Sequence, residues 1–409
     1  MHKQIVLLCI LFTHANLRAE FAVCIKPVAD LVGQPMSTIA PHESTQQIYD
    51  NMPCSPEEGR WASPRIHQLL LHEIVELVDD GVQDSKDGEV WIEIQNAFFH
   101  NHEHPFPHDK YARYWTLKSN IITFTQMQEM GINTTLLPQP IAYKHHNIVE
   151  ANQNVVTLSK PLVLAEQLLS VGTRFVCQQE EAAYYQCWMF NSTTQQMSLV
   201  AIAKDVAIKQ PHSIDAAIEQ FVQILKQWSS GGSASVIPFV WGGCSAREFC
   251  SVADYTFERR QQEGVQIVYF TRPLTHKPYA GFDSSGLLLR AAQICGIPYY
   301  FKNSSTASSY LRPLHAYEEL ENGDIIWLPV GLLVVSDCSN NNVITSQGYR
   351  YGNGYVQEIA LADLFTIETI QDLIYAYRNN LPLVRKLADG STQTYHQFKL
   401  LKLRSAWDN

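Results

Sequence analysis

The feature that most limits the fold is a change of period at Pro211. Before it, apolar residues come in short runs rich in β-branched and aromatic side chains; after it, they first recur at helical spacing. Two blocks of short strands broken by frequent turns predict two small β-barrels. Helices followed by antiparallel strand runs predict an α+β domain behind them.

The first block runs from Ala22 to about Phe124. Val90-Trp91-Ile92-Glu93-Ile94 has the composition that strands favour, and Ile74 to Val78 reads the same way. Ile66, Leu69, Leu70, Leu77 and Val78 would also suit one face of a helix. Asp79 and Asp80, with residues 84–88, are expected to form the polar turn, and Tyr111 to Ile121 a further strand. The second block covers Val155 to Ile208, with runs at Arg174–Cys177, Ala183–Trp188 and Leu199–Ile202. Met127 to Asn154, holding Pro138 and Pro140, reads as the linker between them. Beyond Pro211, Ile214, Ala217, Ile218, Phe221, Val222, Leu225 and Trp228 mark a helix behind an N-cap at Ser213, stopped by Ser229–Ser233. A second helix is expected from Ser285 to Cys295, ending at Gly296 with Pro298 just beyond. Strands follow at Asp324–Leu328, Leu332–Ser336, Val343–Thr345 and Tyr355–Ile359.

A chain of 409 residues with 46% hydrophobic and 17% charged side chains is of ordinary globular composition. Lys plus Arg total 30 against 40 Asp plus Glu, a net charge of -10. Without a basic run to displace counterions, nucleic acid is excluded as a partner. At the N-terminus, a basic start, the apolar run Ile5–Phe12 and a more polar stretch ending at Ala19 follow the order of a secretory signal peptide. The run is too short to span a bilayer and no later segment approaches the required length, so no stable membrane insertion is expected. The mature chain would begin near Glu20 and be periplasmic or secreted. Cleavage would leave eight cysteines, an even number that permits disulfides outside the cytoplasm. The local pairings open to them are Cys177 with Cys187, Cys244 with Cys250, and Cys24 with Cys54, while Cys295 reads as a buried small hydrophobe.

Four ordered segments carry a family signal. They are Ile237-Pro238-Phe239-Val240-Trp241-Gly242-Gly243, Gly281-Phe282-Asp283-Ser284-Ser285-Gly286, Gly323-Asp324-Ile325-Ile326-Trp327 and Gly331-Leu332-Leu333-Val334-Val335. In these the chain resembles the NlpC family of papain-like peptidoglycan endopeptidases, of the γ-D-glutamyl-diaminopimelate type with two N-terminal bacterial SH3-like domains. The resemblance is strongest from Pro238 to Phe365 and weaker at Arg65–Leu70 and Val171–Arg174. It implies a signal peptide at 1–19, SH3-like domains at 20–126 and 155–210 joined by a linker at 127–154, and a papain-like domain at 211–409.

The family motif at the helix start is Asp-Cys-Ser-Gly, where the unpaired amides of a helix N-terminus favour a thiolate. Ser284 stands at the cysteine position, and a serine hydroxyl needs a well-placed base. Gly331 falls at the position of the family's histidine base, Thr345 at that of the residue orienting it, and Phe239 at that of the tyrosine beside the nucleophile. In a serine protease, loss of nucleophile or base alone costs roughly a million-fold in turnover. Four replacements at four chemical positions imply a pseudoenzyme.

The resemblance leaves a binding apparatus. Asp283, which in the family helps hold the free amine of the stem peptide, is present, with Ser285, Trp241 and Ser304. The plainer alternatives are a helix N-cap for Asp283 and a turn serine for Ser304. His100, His102 and His104 would share one face of an extended segment and could meet a divalent metal, but a solvated loop is the reading adopted, with no metal and no cofactor. Residues 244–280, with Arg259 and Arg260, are expected to be a long surface loop placed to cover the groove. Three functions compete: a non-catalytic binder of peptidoglycan stem peptides, a hydrolase attacking through Ser284, and a module contacting another cell-envelope protein. Restoring Ser284→Cys together with Gly331→His is expected to revive activity if the groove is intact.

Overall fold

A computed structural model describes residues 20–51, 65–84, 86–96, 113–139, 143–144, 147–148, 154–209, 213–229, 235–247, 250–251, 257–262, 265–270, 280–297, 304–348, 351, 354–387 and 390–408. The expected leader at 1–19 and the His100–His104 cluster lie outside these residues. The chain mixes helix and sheet, with strands predominating.

The first block forms an antiparallel sheet of seven strands. In space they run Arg65–Leu70, Val28–Val32, Arg113–Leu117, Val90–Asn96, Ile74–Asp84, Phe21–Cys24, Ile121–Thr123. The segment whose spacing also suited a helix is two strands, Arg65–Leu70 and Ile74–Asp84, because the chain reverses at Leu71–Glu73 with His72 at φ +72°. Asp79 and Asp80 do not make the polar turn. A bulge between Leu77 and Val82 absorbs them within the strand, and the turn falls at residues 86–89. The run expected as one strand to Ile121 is broken at Lys118–Asn120, where Asn120 Nδ2 donates to Thr116 Oγ1 at 3.0 Å and a 3₁₀ turn forms.

The second block is a five-stranded antiparallel sheet in the order Gln196–Ala203, Tyr184–Asn191, Arg174–Glu180, Val155–Leu158, Ala207–Lys209. Among the described residues neither sheet closes into a barrel. Part of the stretch read as a linker is packed: Met127, Ile132 and Leu137 are buried with Val23, Ile74 and Phe190.

Beside this packing, one side chain hydrogen-bonds the tip of the first sheet into the second. The register that pairs Val176 with Trp188 would next bring Phe190 N–H to the Arg174 carbonyl. Instead the His72 imidazole lies between them, its Nδ1 3.1 Å from the Arg174 oxygen and its Nε2 accepting from Phe190 N–H at 3.0 Å. The ring also meets Phe175 edge-on at 5.4 Å. An acceptor at Nε2 fixes the neutral tautomer with its hydrogen on Nδ1. Burial drives the ring's pKa down to about 4.

Beyond Pro211 a third sheet runs Val356–Ala360, Asn342–Ser346, Gly331–Asp337, Ile325–Leu328, Lys399–Leu401, again antiparallel. Ile325, Leu332, Val334 and Ile344 face the helices Ile214–Ser229 and Ser284–Cys295. Ile326, Leu333, Val335 and Val343 face a second core built on Leu361, Phe365, Leu373, Ile374 and Leu383. Burial on both faces explains why Gly331–Val335 reads as an unbroken apolar run rather than an alternating one. Ser213 Oγ accepts from Ala216 N–H at 3.2 Å, as expected of the first helix's cap. The second helix ends at Gly296, φ +68°.

Residues 244–280 are not one irregular loop. Cys244–Ser245 pairs with Gly281–Phe282, and Phe257–Gln262 with Val265–Phe270 makes an antiparallel hairpin.

Candidate functional site

Ser284 is the first residue of its helix, and Asp283 is the N-cap. The Asp283 carboxylate accepts from Gly286 N–H at 2.6 Å and from Gly242 N–H at 3.0 Å, so it ties the helix start to the Trp241–Gly242 turn. Burial raises its pKa to about 6, against the pull of those amides. The cap reading of Asp283 therefore holds, and its second bond reaches the neighbouring family segment.

Gly331, Leu332 and Thr345 converge on Ser284. A Cβ added at Gly331 would stand 2.9 Å from Ser284 Oγ, and Gly331 adopts φ +156°, a region that favours glycine. Leu332 N–H donates to Ser284 Oγ at 3.2 Å. The buried Thr345 hydroxyl donates to the Leu332 carbonyl at 3.1 Å. Phe239 is buried and bridged to Phe282, with its N–H donating to the Gly354 carbonyl at 2.7 Å. Trp241 and Val330, 42% and 40% exposed, are the chain neighbours of Gly242 and Gly331.

Ser284 itself is 9% exposed. Among the described residues its hydroxyl has the Leu332 amide as hydrogen-bond partner, and no imidazole hydrogen-bonds it. No group of three His, Cys, Asp or Glu among them could hold a metal ion. Ser285 follows Ser284 on the helix, half-buried, while Ser304 opens a separate helix, Ser304–Tyr310. No described hydrogen bond joins Ser304 to Ser284.

The comparisons with known proteins bear on this arrangement. No family model matches the chain, and no curated protein matches it. Among solved structures, an NlpC/P60 family protein from Bacillus cereus matches with a TM-score of 0.50 and 16% identity, over 83% of this chain and 94% of that one. This chain's fold is NlpC/P60-like. NlpC1 from Trichomonas vaginalis aligns over 84% of this chain and 88% of that one, at 8% identity and a TM-score of 0.30. The peptidoglycan hydrolase RipB from Mycobacterium tuberculosis covers 38% of this chain and 68% of its own, at 19% identity and 0.22.

The site around Ser284 is braced by residues outside the four ordered segments. Gln68 Oε1, on the first sheet, accepts from Cys244 N–H at 3.0 Å and from Ser245 Oγ at 2.7 Å. Gln68 Nε2 donates to Asp30, which also accepts from Nε and Nη2 of the buried Arg65 at 2.9 and 3.0 Å. Gly242, at φ +68°, packs so closely on this strand that a Cβ would stand 2.4 Å from the Arg65 carbonyl oxygen. On the site helix, buried Arg290 pairs with Glu73 at 2.5 Å and donates through Nε to the Cys244 carbonyl at 3.0 Å. Sequence reading missed Gln68, Glu73 and Arg290, whose partners lie up to 222 residues away. The one local signal is a charged residue, Arg290, in the mostly apolar run Leu287–Cys295 that also holds Gln293, since a buried charge requires a partner.

Proposed function

We propose that this is an exported cell-wall protein whose NlpC/P60-like groove binds peptidoglycan stem peptides without cleaving them. The observation that carries this is the environment of Ser284 Oγ. It receives a hydrogen bond from an amide, faces a glycine where a base would stand, and has no imidazole against it among the described residues. Such a hydroxyl has nothing to take its proton, whereas nucleophilic serines depend on an adjacent base. Asp283, Ser285 and Trp241 are proposed as the peptide contacts nearest Ser284, and Ser304 as a contact from its own helix. On this reading Gly331, Thr345 and Phe239 occupy the places of a base, its orienting partner and a tyrosine without their chemistry. The finer resemblance, SH3-like N-terminal units and delivery by a cleaved leader, is part of the same proposal.

The test is incubation of the purified chain with an L-Ala-γ-D-Glu-diaminopimelate peptide, followed by calorimetry and by product analysis. Saturable binding with intact peptide is the expected result. Release of L-Ala-γ-D-Glu that is lost in Ser284→Ala would make the chain a serine hydrolase. Absence of both binding and cleavage would turn the search toward a cell-envelope protein partner.

A further inference from the structure

Cys177 and Cys187 stand directly opposite each other on neighbouring antiparallel strands, Arg174–Glu180 and Tyr184–Asn191. The hydrogen-bond directions show which kind of cross-strand pair they form. Cys177 N–H donates to the Asn154 carbonyl at 2.7 Å, and its own carbonyl accepts from Asn154 Nδ2 at 2.5 Å. Both backbone groups of Cys177 therefore point away from the Tyr184–Asn191 strand. Against that strand the pair is of the non-hydrogen-bonded kind, whose Cα atoms lie about 4.5 Å apart with their side chains on one face. A disulfide asks for roughly 4.4–6.8 Å between Cα atoms.

The two side chains also share one core, with Val156, Leu158, Phe175, Tyr185 and Ile202, at 2% and 0% exposure. Burial and the neighbouring sulfur push the Cys187 thiol up to about 12. A thiol held there is not a nucleophile, so chemistry at this pair belongs to folding rather than to the finished fold.

We propose that Cys177 and Cys187 form a cross-strand disulfide as the second sheet folds. The two thiols become one S–S bond, and their two protons and two electrons pass to a small disulfide of the glutathione class, which leaves as two thiols. The bond staples the two strands three residues from Arg174 and Phe190, the groups that hold His72. It thereby fixes the strand pair onto which the first sheet docks.

The experiment uses the full chain, unfolded under reductant, refolded with oxidised and reduced glutathione, and alkylated in denaturant. Trypsin cutting at Arg174 and Lys204 isolates residues 175–204, which hold these two cysteines and no others. Mass spectrometry is expected to find that peptide two hydrogens lighter and unalkylated. Protein folded under reductant and then given the same oxidant is expected to yield it doubly alkylated. In Cys177→Ser, Cys187 is expected to alkylate fully. Double alkylation after oxidative refolding, or Cys187 joined to another cysteine, overturns the proposal.

Discussion

Ser284 Oγ accepts a hydrogen bond from a buried amide, so its removal has a structural cost separate from any catalytic one. Ser284→Ala strands the Leu332 N–H and is expected to lower stability by about 1 kcal/mol in urea unfolding. Gly331→Ala places a Cβ against the same oxygen and strains a φ of +156°, at a cost of roughly 1–3 kcal/mol. Since both changes act on one contact, the double variant should lose less than the sum of the singles. The same geometry revises the restoration expected from the family segments. Ser284→Cys with Gly331→His must carry an imidazole on a backbone that favours glycine, so this variant is expected to leave the diaminopimelate peptide uncut in a chromatographic assay. Turnover by it would show that the strand can shift to accept the ring. The convergence of 284, 331 and 345 was legible from motif order, because each sits at a fixed step on a strand or helix. The glycine's conformation was not, since a one-letter code carries no φ.

At the scale of elements, the hairpin tip at His72 is a pH-sensitive joint. An unfolded imidazole titrates near 6.5 and this buried one near 4. Between those values the unfolded chain binds more protons, so stability is complete above about pH 6.5 and falls as pH drops toward 4, by about 3 kcal/mol in all. His72→Gln should flatten that slope in urea midpoints measured from pH 4 to 7; an unchanged slope would place the titration elsewhere. Local periodicity revealed the helices at 214–229 and 284–295 and the strands beside them. It could not reveal a ring inserted into another sheet's ladder, because Arg174 and Phe190 lie 102 and 118 residues from His72. The strand-or-helix ambiguity between Ile66 and Val78 had the same source: the turn at Leu71–Glu73 is set by what it docks against rather than by Gly or Pro.

The whole molecule is bound by Arg290. It reaches from the site helix to Glu73 in the turn of the first sheet's Arg65–Asp84 hairpin, and a Cβ at Gly172, in the turn that leads into the second sheet's Arg174–Glu180 strand, would meet its aliphatic stem at 2.2 Å. Glu73→Gln leaves the guanidinium buried without its anion, at an expected cost of about 3–5 kcal/mol. Calorimetry should show the N-terminal sheets and the part of the chain beyond Pro211 melting apart in that variant and closer together in the parent chain; coincident melting in both would mean that other contacts carry the coupling. The chain's composition pointed to an ordinary globular protein, but strand order and this three-way junction emerge only once distant segments meet. The Leu332 amide seated on Ser284 has an effect outside the molecule as well. On the proposed reading, fluorophosphonates and similar warheads find no activated oxygen to acylate. Surveys that inventory hydrolases by covalent capture would pass over this chain, which has to be recovered instead by what it holds.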